Sequence, residues 1–180
     1  MKRSNIQNIC LTGVFATIIV IMAQISIPMP LGVPMTMQTF AVTLAGIILG
    51  SKYGALSTLI YMLLGAIGLP VFANFTGGWQ SFVGPTGGFL LSFPLMAFLI
   101  GLGAENRSKW KGSLPIGIIL GTIVNLLCGL LMFCLLTNSS LPVGLATCIL
   151  PFIPTTIIKE VLASIIGIQI KRHLNSLFYT

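Results

Sequence analysis

Only two residues in this 180-residue chain are acidic, Glu105 and Glu160, and its one histidine is His173. General acid–base work, metal-assisted hydrolysis and intramembrane proteolysis each need a constellation of such groups, so their shortage argues against an enzyme. The four cysteines, Cys10, Cys128, Cys134 and Cys148, lie in apolar stretches without CxxC spacing. No zinc or dithiol motif is visible, and they read as packing residues. The glycine-rich run GPTGG at 84–88 lacks the lysine that completes a phosphate loop, which excludes ATP hydrolysis by that route. Charged residues are only 6% of the chain, against ~25% in a soluble domain. Ten-residue stretches of alternating polarity are missing as well, which argues against a membrane β-barrel.

What the chain has in place of charge is apolar length: 56% of its residues are hydrophobic and its mean hydropathy is +1.05. Runs such as 9–27 and 116–136 suit membrane helices of ~20 residues. The reading is an all-α integral membrane protein, one transmembrane domain over residues 1–180. Candidate spans are 8–27, 39–50, 53–69, 87–103, 114–136 and 154–171, with a short helix at 143–150. The apolar stretch after the basic start is long for a signal peptide and lacks a small-residue cleavage site, so it reads as a retained first span.

The net charge of +7 could suggest nucleic acid in a soluble protein, but its distribution reads as topology. On a six-span count Lys2, Arg3, Lys52, Arg107, Lys109, Lys111, Lys171 and Arg172 all fall on one side of the bilayer. By the positive-inside rule that side is the cytoplasm, with both termini in it, and the chain is a multi-pass protein of the inner (cell) membrane with lipid rather than nucleic acid around it.

The remaining basic residue, Lys159, lies in PFIPTTIIKEVLASIIG at 151–167. A charge at bilayer depth costs ~3 kcal/mol or more and usually faces a cavity or a partner. Thr155, Thr156, Lys159 and Ala163 share one helical stripe, while Glu160 points about 100° away from Lys159, towards Thr156 and Ser164. The alternative for Lys159 alone is a structural, snorkelling lysine. The external connections 28–38, 70–86 and 137–142 carry no formal charge. The first, PMPLGVPMTMQ, holds three prolines and ends at Gln38, reading as a stiff apolar flap. The second sets Phe72, Phe75, Trp79 and Phe82 beside Asn74 and Gln80. Aromatic walls with a few amides suit a small apolar ligand with a hydrogen-bonding head, although a membrane-interface aromatic belt has the same composition. Small-residue pairs recur at Gly46–Gly50, Gly117–Gly121, Thr12–Ala16 and Gly13–Thr17, where helix backbones can approach closely. Spacing alone leaves open whether they meet within the chain or against another protein.

Four stretches, IPMPLGVPMTMQTFAVTLAGIILG, GALSTLIYMLLGAIGLPVFANFTGG, GPTGGFLLSFPLMAFLIG and PFIPTTIIKEVLA, occur in that order over about residues 23–163. Together they resemble the BioY family, the biotin-binding S components of energy-coupling factor transporters. The resemblance implies a six-helix S-component-like bundle that captures biotin from outside. It also implies a transmembrane coupling protein and two cytoplasmic ATPases as partners, with biotin as ligand and no cofactor. Some members are thought to work without those partners. Asn74 and Lys159 match the family's ligand-binding positions, and Gln38 and the GPTGG turn match recurrent motif positions. The family's last motif usually reads PGDxxK, so Thr156 stands where an acidic ligand-binding residue is expected, and Phe89 stands where GPTGGY has tyrosine. These departures leave open a relative of biotin as substrate. The expected binding residues are therefore Lys159, Asn74, Thr156, Gln38, Phe89 and Trp79. A carboxylate at 156 is expected to bind biotin more tightly, by about 1 kcal/mol. The alternatives are an S component for another vitamin and a ligand-free structural membrane protein.

Overall fold

The structure, a computed structural model, describes residues 5–29 and 33–178. Lys2 and Arg3 of the charge count and residues 30–32 of the proline-rich flap lie outside the described residues. Among the described residues six α-helices account for most of the chain: α1 Asn5–Gln24, α2 Gln38–Ala66, α3 Gly87–Glu105, α4 Ser113–Thr137, α5 Leu141–Cys148 and α6 Phe152–Phe178. Five of them are long and apolar enough to cross a membrane.

The longest of the five is two passes, because α2 folds back on itself. Gly50 has φ 85° and ψ −175°, outside the helical region and open only to glycine at low cost. The arms that meet there, 38–49 and 51–66, run antiparallel. A Cβ on Gly54 would come within 3.0 Å of the Gly46 Cα, and the Gln38 amide reaches the Tyr61 hydroxyl. In an unbroken helix residues 38 and 61 would lie about 35 Å apart. The turn is held by Glu105 at the end of α3, whose carboxylate accepts from the Ser51 backbone N–H at 2.7 Å and from the Ser51 hydroxyl at 2.9 Å. That arrangement caps the second arm with a charged acceptor at its positive end. The expected second and third spans are these two arms, so the membrane domain has six segments.

Three of the four small-residue pairs, Gly46–Gly50, Gly117–Gly121 and Thr12–Ala16, pack inside the chain. In α4, Gly117, Gly121, Asn125 and Gly129 recur every fourth residue and are buried, while Ile116, Ile119, Leu120, Ile123 and Leu127 are exposed. This is the lipid-facing pattern, with small residues inward so that backbones touch. A Cβ on Gly117 would meet Gly103 of α3, and one on Gly46 would meet the Ala97 carbonyl and Ile100. On α1 the small face divides: Thr12 and Ala16 are buried against the bundle, whereas Gly13 faces open space and Thr17 is exposed.

The first external loop contains a feature its prolines did not suggest. Two short strands, β1 Ser26–Ile27 and β2 Met35–Thr36, pair antiparallel. The first helix consequently stops at Gln24 instead of running on to residue 27. Two-residue strands have too little length for an alternating pattern to register in sequence.

Candidate ligand-binding site

α6 brings the first group of polar residues inward. Phe152, Thr156, Lys159, Glu160, Ala163 and Gly167 are buried along one face, and Ile157, Ile158, Val161, Leu162, Ile165 and Ile166 are exposed on the other. Close approach to α2 sets that facing, since a Cβ on Gly167 would lie 3.0 Å from the Ile47 side chain. Lys159 is only 7% exposed. Its Nζ donates to the Thr36 carbonyl on β2 at 3.0 Å, across 123 residues of chain.

Thr36 is itself held from α2. Its hydroxyl donates to Gln38 Oε1 at 2.7 Å, and Gln38 Nε2 donates to the hydroxyl of Tyr61, which is fully buried. A line of hydrogen bonds thus runs from Tyr61 through Gln38 and Thr36 to Lys159. Because both ends of the Gln38 amide are engaged, this residue positions the strand and the lysine. A network satisfied in this way at low dielectric is rigid.

The second loop is fixed from α1. Gln24 Nε2 donates to the carbonyls of Val71 at 3.2 Å and Phe72 at 3.1 Å, and Gln24 Oε1 accepts from the Phe75 N–H at 2.9 Å. Between these points Asn74 adopts φ 57° and ψ 35°, a left-handed conformation that asparagine tolerates better than most residues. Ser26 donates its hydroxyl to Asn74 Oδ1 at 2.5 Å. The carboxamide is thereby oriented, and among the described residues its NH2 has no partner.

Between the flap, the second loop and helices α2, α3, α4 and α6 lies a cavity of about 520 Å³, within the range of small-molecule sites. Aromatic and thioether groups of Phe72, Phe89, Phe93, Met96 and Phe152 supply its apolar wall, with Phe89 and Phe152 stacked at 6.4 Å. Asn74, Asn125, Thr156, Lys159 and Glu160 supply polar groups. The cavity lies at the Gln38 end of α2. A smaller cleft at the opposite end of the helices is lined by Arg107, Lys171 and Arg172. The site therefore opens at the end away from this cluster of basic residues.

A profile of the BioY family matches residues 1–176. The chain belongs to the BioY family. It is 44% identical over 162 residues to the biotin transporter BioY of Thermotoga maritima, covering 89% of this chain and 93% of that protein. It is 40% identical over 179 residues to the biotin transporter BioY of Rhodobacter capsulatus, covering 93% and 94%. Its fold matches the crystal structure of an S-component for biotin from an ECF-type ABC transporter with a TM-score of 0.85, at 30% identity and 95% coverage of both chains.

Five of the six expected residues line this BioY-family cavity: Lys159, Asn74, Thr156, Gln38 and Phe89. Trp79 does not. It is 69% exposed and rests on Phe82 at 5.5 Å, because the turn at Trp79–Phe82 directs the smaller phenyl inward and leaves the indole outside. For this residue the interface-belt reading is the better one. Glu160, whose role the sequence left open, lines the same cavity as Lys159. Neighbours on a helix point about 100° apart, but the cavity extends from β2 round to α4, so Lys159 reaches Thr36 on one side while Thr122 lies beside Glu160 on the other.

Asn125 and Gln24 were not anticipated. Asn125 Nδ2 donates to the Phe89 carbonyl at 3.0 Å and to Ser92 at 2.8 Å, pinning the start of α3 beside the cavity. A lone asparagine in a 25-residue, mostly apolar helix was the available signal. Gln24 at the end of the first span carried no comparable signal, since an amide at a helix end is ordinary.

Proposed function

We propose that this chain is the substrate-binding membrane subunit of a biotin uptake system, and that biotin occupies the 520 Å³ cavity. The observation that carries the reading is the meeting of Lys159, Asn74 and Thr156 on one apolar cavity in a BioY-family chain. Biotin has a ureido head with two donors and one carbonyl, an apolar fused ring and a carboxylate tail, which suits a cation, amides and aromatic walls. Lys159 donates to a ligand oxygen, Asn74 donates through its free NH2, Thr156 offers a hydroxyl, and Phe89 and Phe152 cover the rings. Gln38 acts through Thr36. No cofactor takes part. The subunit resides in the inner (cell) membrane with both termini in the cytoplasm, and a transmembrane coupling protein with two cytoplasmic ATPases supplies the energy.

Equilibrium titration of the purified protein with biotin tests this reading, with saturable one-to-one binding expected. Absence of biotin binding by a folded sample that binds another vitamin would replace it. A biotin relative as preferred ligand is the second reading, favoured by Thr156 and Phe89 at positions where the family resemblance leads one to expect polar groups.

A further inference from the structure

The smaller cleft, of about 130 Å³, lies where the first arm of α2, the segment just after α3, the start of α4 and the later turns of α6 come together. Three cations line it: Arg107, Lys171 and Arg172. Ile47 and Leu114, both buried, and Ile168 give it an apolar floor. Among the described residues no carboxylate stands on its wall to offset the three positive charges. The chain has only two acidic side chains, and both are placed elsewhere. Glu105, though close in sequence, accepts from the Ser51 N–H at 2.7 Å and the Ser51 hydroxyl at 2.9 Å, and Glu160 lines the larger cavity. A concave surface of one sign over a low-dielectric floor concentrates the opposite charge.

The depth of the cleft and its surroundings say which anion fits. Lys171 is about 28 Å along α6 from Phe152 at the outer start of that helix. A hydrocarbon layer is ~30 Å thick, so the cations stand at the level of lipid headgroups. Trp110, 59% exposed between Lys109 and Lys111 on the α3–α4 connection, has the character of an interfacial anchor at the same end. The apolar floor also continues into the bilayer: Ile165 and Val161 share the helix face of Ile168 and are exposed. Finally, α6 joins the bundle chiefly through α2, with little packing against α3 or α4. A group that bridges Arg107 and Arg172 would tie α6 to the end of α3.

We infer that this cleft is a binding site for the phosphate headgroup of an anionic phospholipid, with one acyl chain along the α6 face formed by Ile168, Ile165 and Val161. The two guanidinium groups offer paired donors to phosphate oxygens, and Lys171 adds a compact charge. Phosphatidylcholine carries its own cation beside the phosphate and meets the three basic residues less favourably than phosphatidylglycerol does. The orientation proposed above puts the cleft in the cytoplasmic leaflet, where a negative surface potential favours such contacts. The site is separate from the biotin cavity and does not rest on the identity of its ligand.

Lipid titration of the detergent-purified protein, read by native mass spectrometry and by melting temperature, tests the site. One phosphatidylglycerol is expected to be retained and to raise the melting temperature, with phosphatidylcholine held at least tenfold more weakly. Arg107→Gln with Arg172→Gln is expected to weaken phosphatidylglycerol binding about twentyfold, at about fivefold for each basic residue, and to abolish the thermal shift. Lys109→Gln with Lys111→Gln removes the same charge outside the cleft, and its binding is expected to stay within about twofold of the wild type. Arg172→Gln alone, at an exposed position, is expected to lose about fivefold and serves if the double variant does not fold. Equal losses in the two double variants, or equal binding of the two lipids by the wild type, would overturn the site. Glycerophosphoglycerol has the same headgroup without chains, and an equal thermal shift with it at the same concentration would replace the lipid by a free phosphate compound. Unchanged lipid binding together with lost uptake in the double arginine variant would assign the cleft to a protein partner instead.

Discussion

Lys159 illustrates how much of the site is held by its second partners. Its ammonium has three donors, one of which is on the Thr36 carbonyl, leaving two for an occupant. Replacing it by alanine removes a charge-assisted donor, and we expect biotin affinity to fall by about 2 kcal/mol, roughly thirtyfold, with a much smaller change in melting temperature. Lys159→Arg should rescue only in part, because a planar fork cannot occupy the place of a compact ammonium between β2 and the cavity. Titration and thermal unfolding of the same preparations check both, and normal binding by the alanine form would make the lysine structural. Thr156→Asp now carries the opposite expectation to the one drawn from sequence. Glu160 is one turn away on the same buried face, so a second carboxylate meets like charge at i+4 as well as desolvation. We expect Thr156→Asp to bind biotin about tenfold more weakly and Thr156→Asp with Glu160→Gln to regain most of that loss. If the single variant binds more tightly, the two side chains do not share the cavity.

At the scale of elements the α2 hairpin and α1 make separate demands. Gly50 has a positive φ, and a Cβ there would strike the Glu105 carboxylate that caps the turn. Gly50→Ala is therefore expected to destabilise the protein by about 2 kcal/mol or more, read as a lower melting temperature in detergent. An unchanged melting temperature would mean that the turn adapts. On α1, Gly13 meets open space while Ala16 is 2% exposed. Gly13→Leu is expected to leave biotin binding intact and to reduce uptake if that outward face meets the coupling protein. Ala16→Leu is expected to lower stability and binding together by overpacking. Transport by intact cells alongside binding by purified protein separates the two, and equal effects of both variants on binding would sink the division.

For the molecule as a whole, orientation is the property to measure. Arg107, Lys171 and Arg172 meet in one cleft at the end of the bundle opposite the cavity. With that end in the cytoplasm, Lys109→Cys in a cysteine-free background is expected to resist an impermeant thiol reagent added to intact cells and to react once the membrane is opened. Reaction from outside would invert the protein.

The amino-acid sequence by itself determined the class, the six apolar segments and the line of buried groups on the last helix. Each of these follows from local patterns: hydrophobic runs report lipid exposure, basic residues report the side, and spacing along 151–167 reports one helix face. Five of the six residues expected from those patterns together with the family resemblance line the cavity. Only the tertiary structure decided what each group faces. Gln38 lines the cavity, yet its amide is held between Tyr61 and Thr36, a bond that exists because the chain reverses at Gly50. Trp79 and Phe82 are equivalent by composition, and a short turn leaves one outside and buries the other. The angle between Lys159 and Glu160 was calculable, but the width of the cavity that receives both was not. That width is set where β2, α2, α4 and α6 stop short of one another, through contacts between residues as much as 123 positions apart. Such distances are products of packing, and no local pattern encodes them.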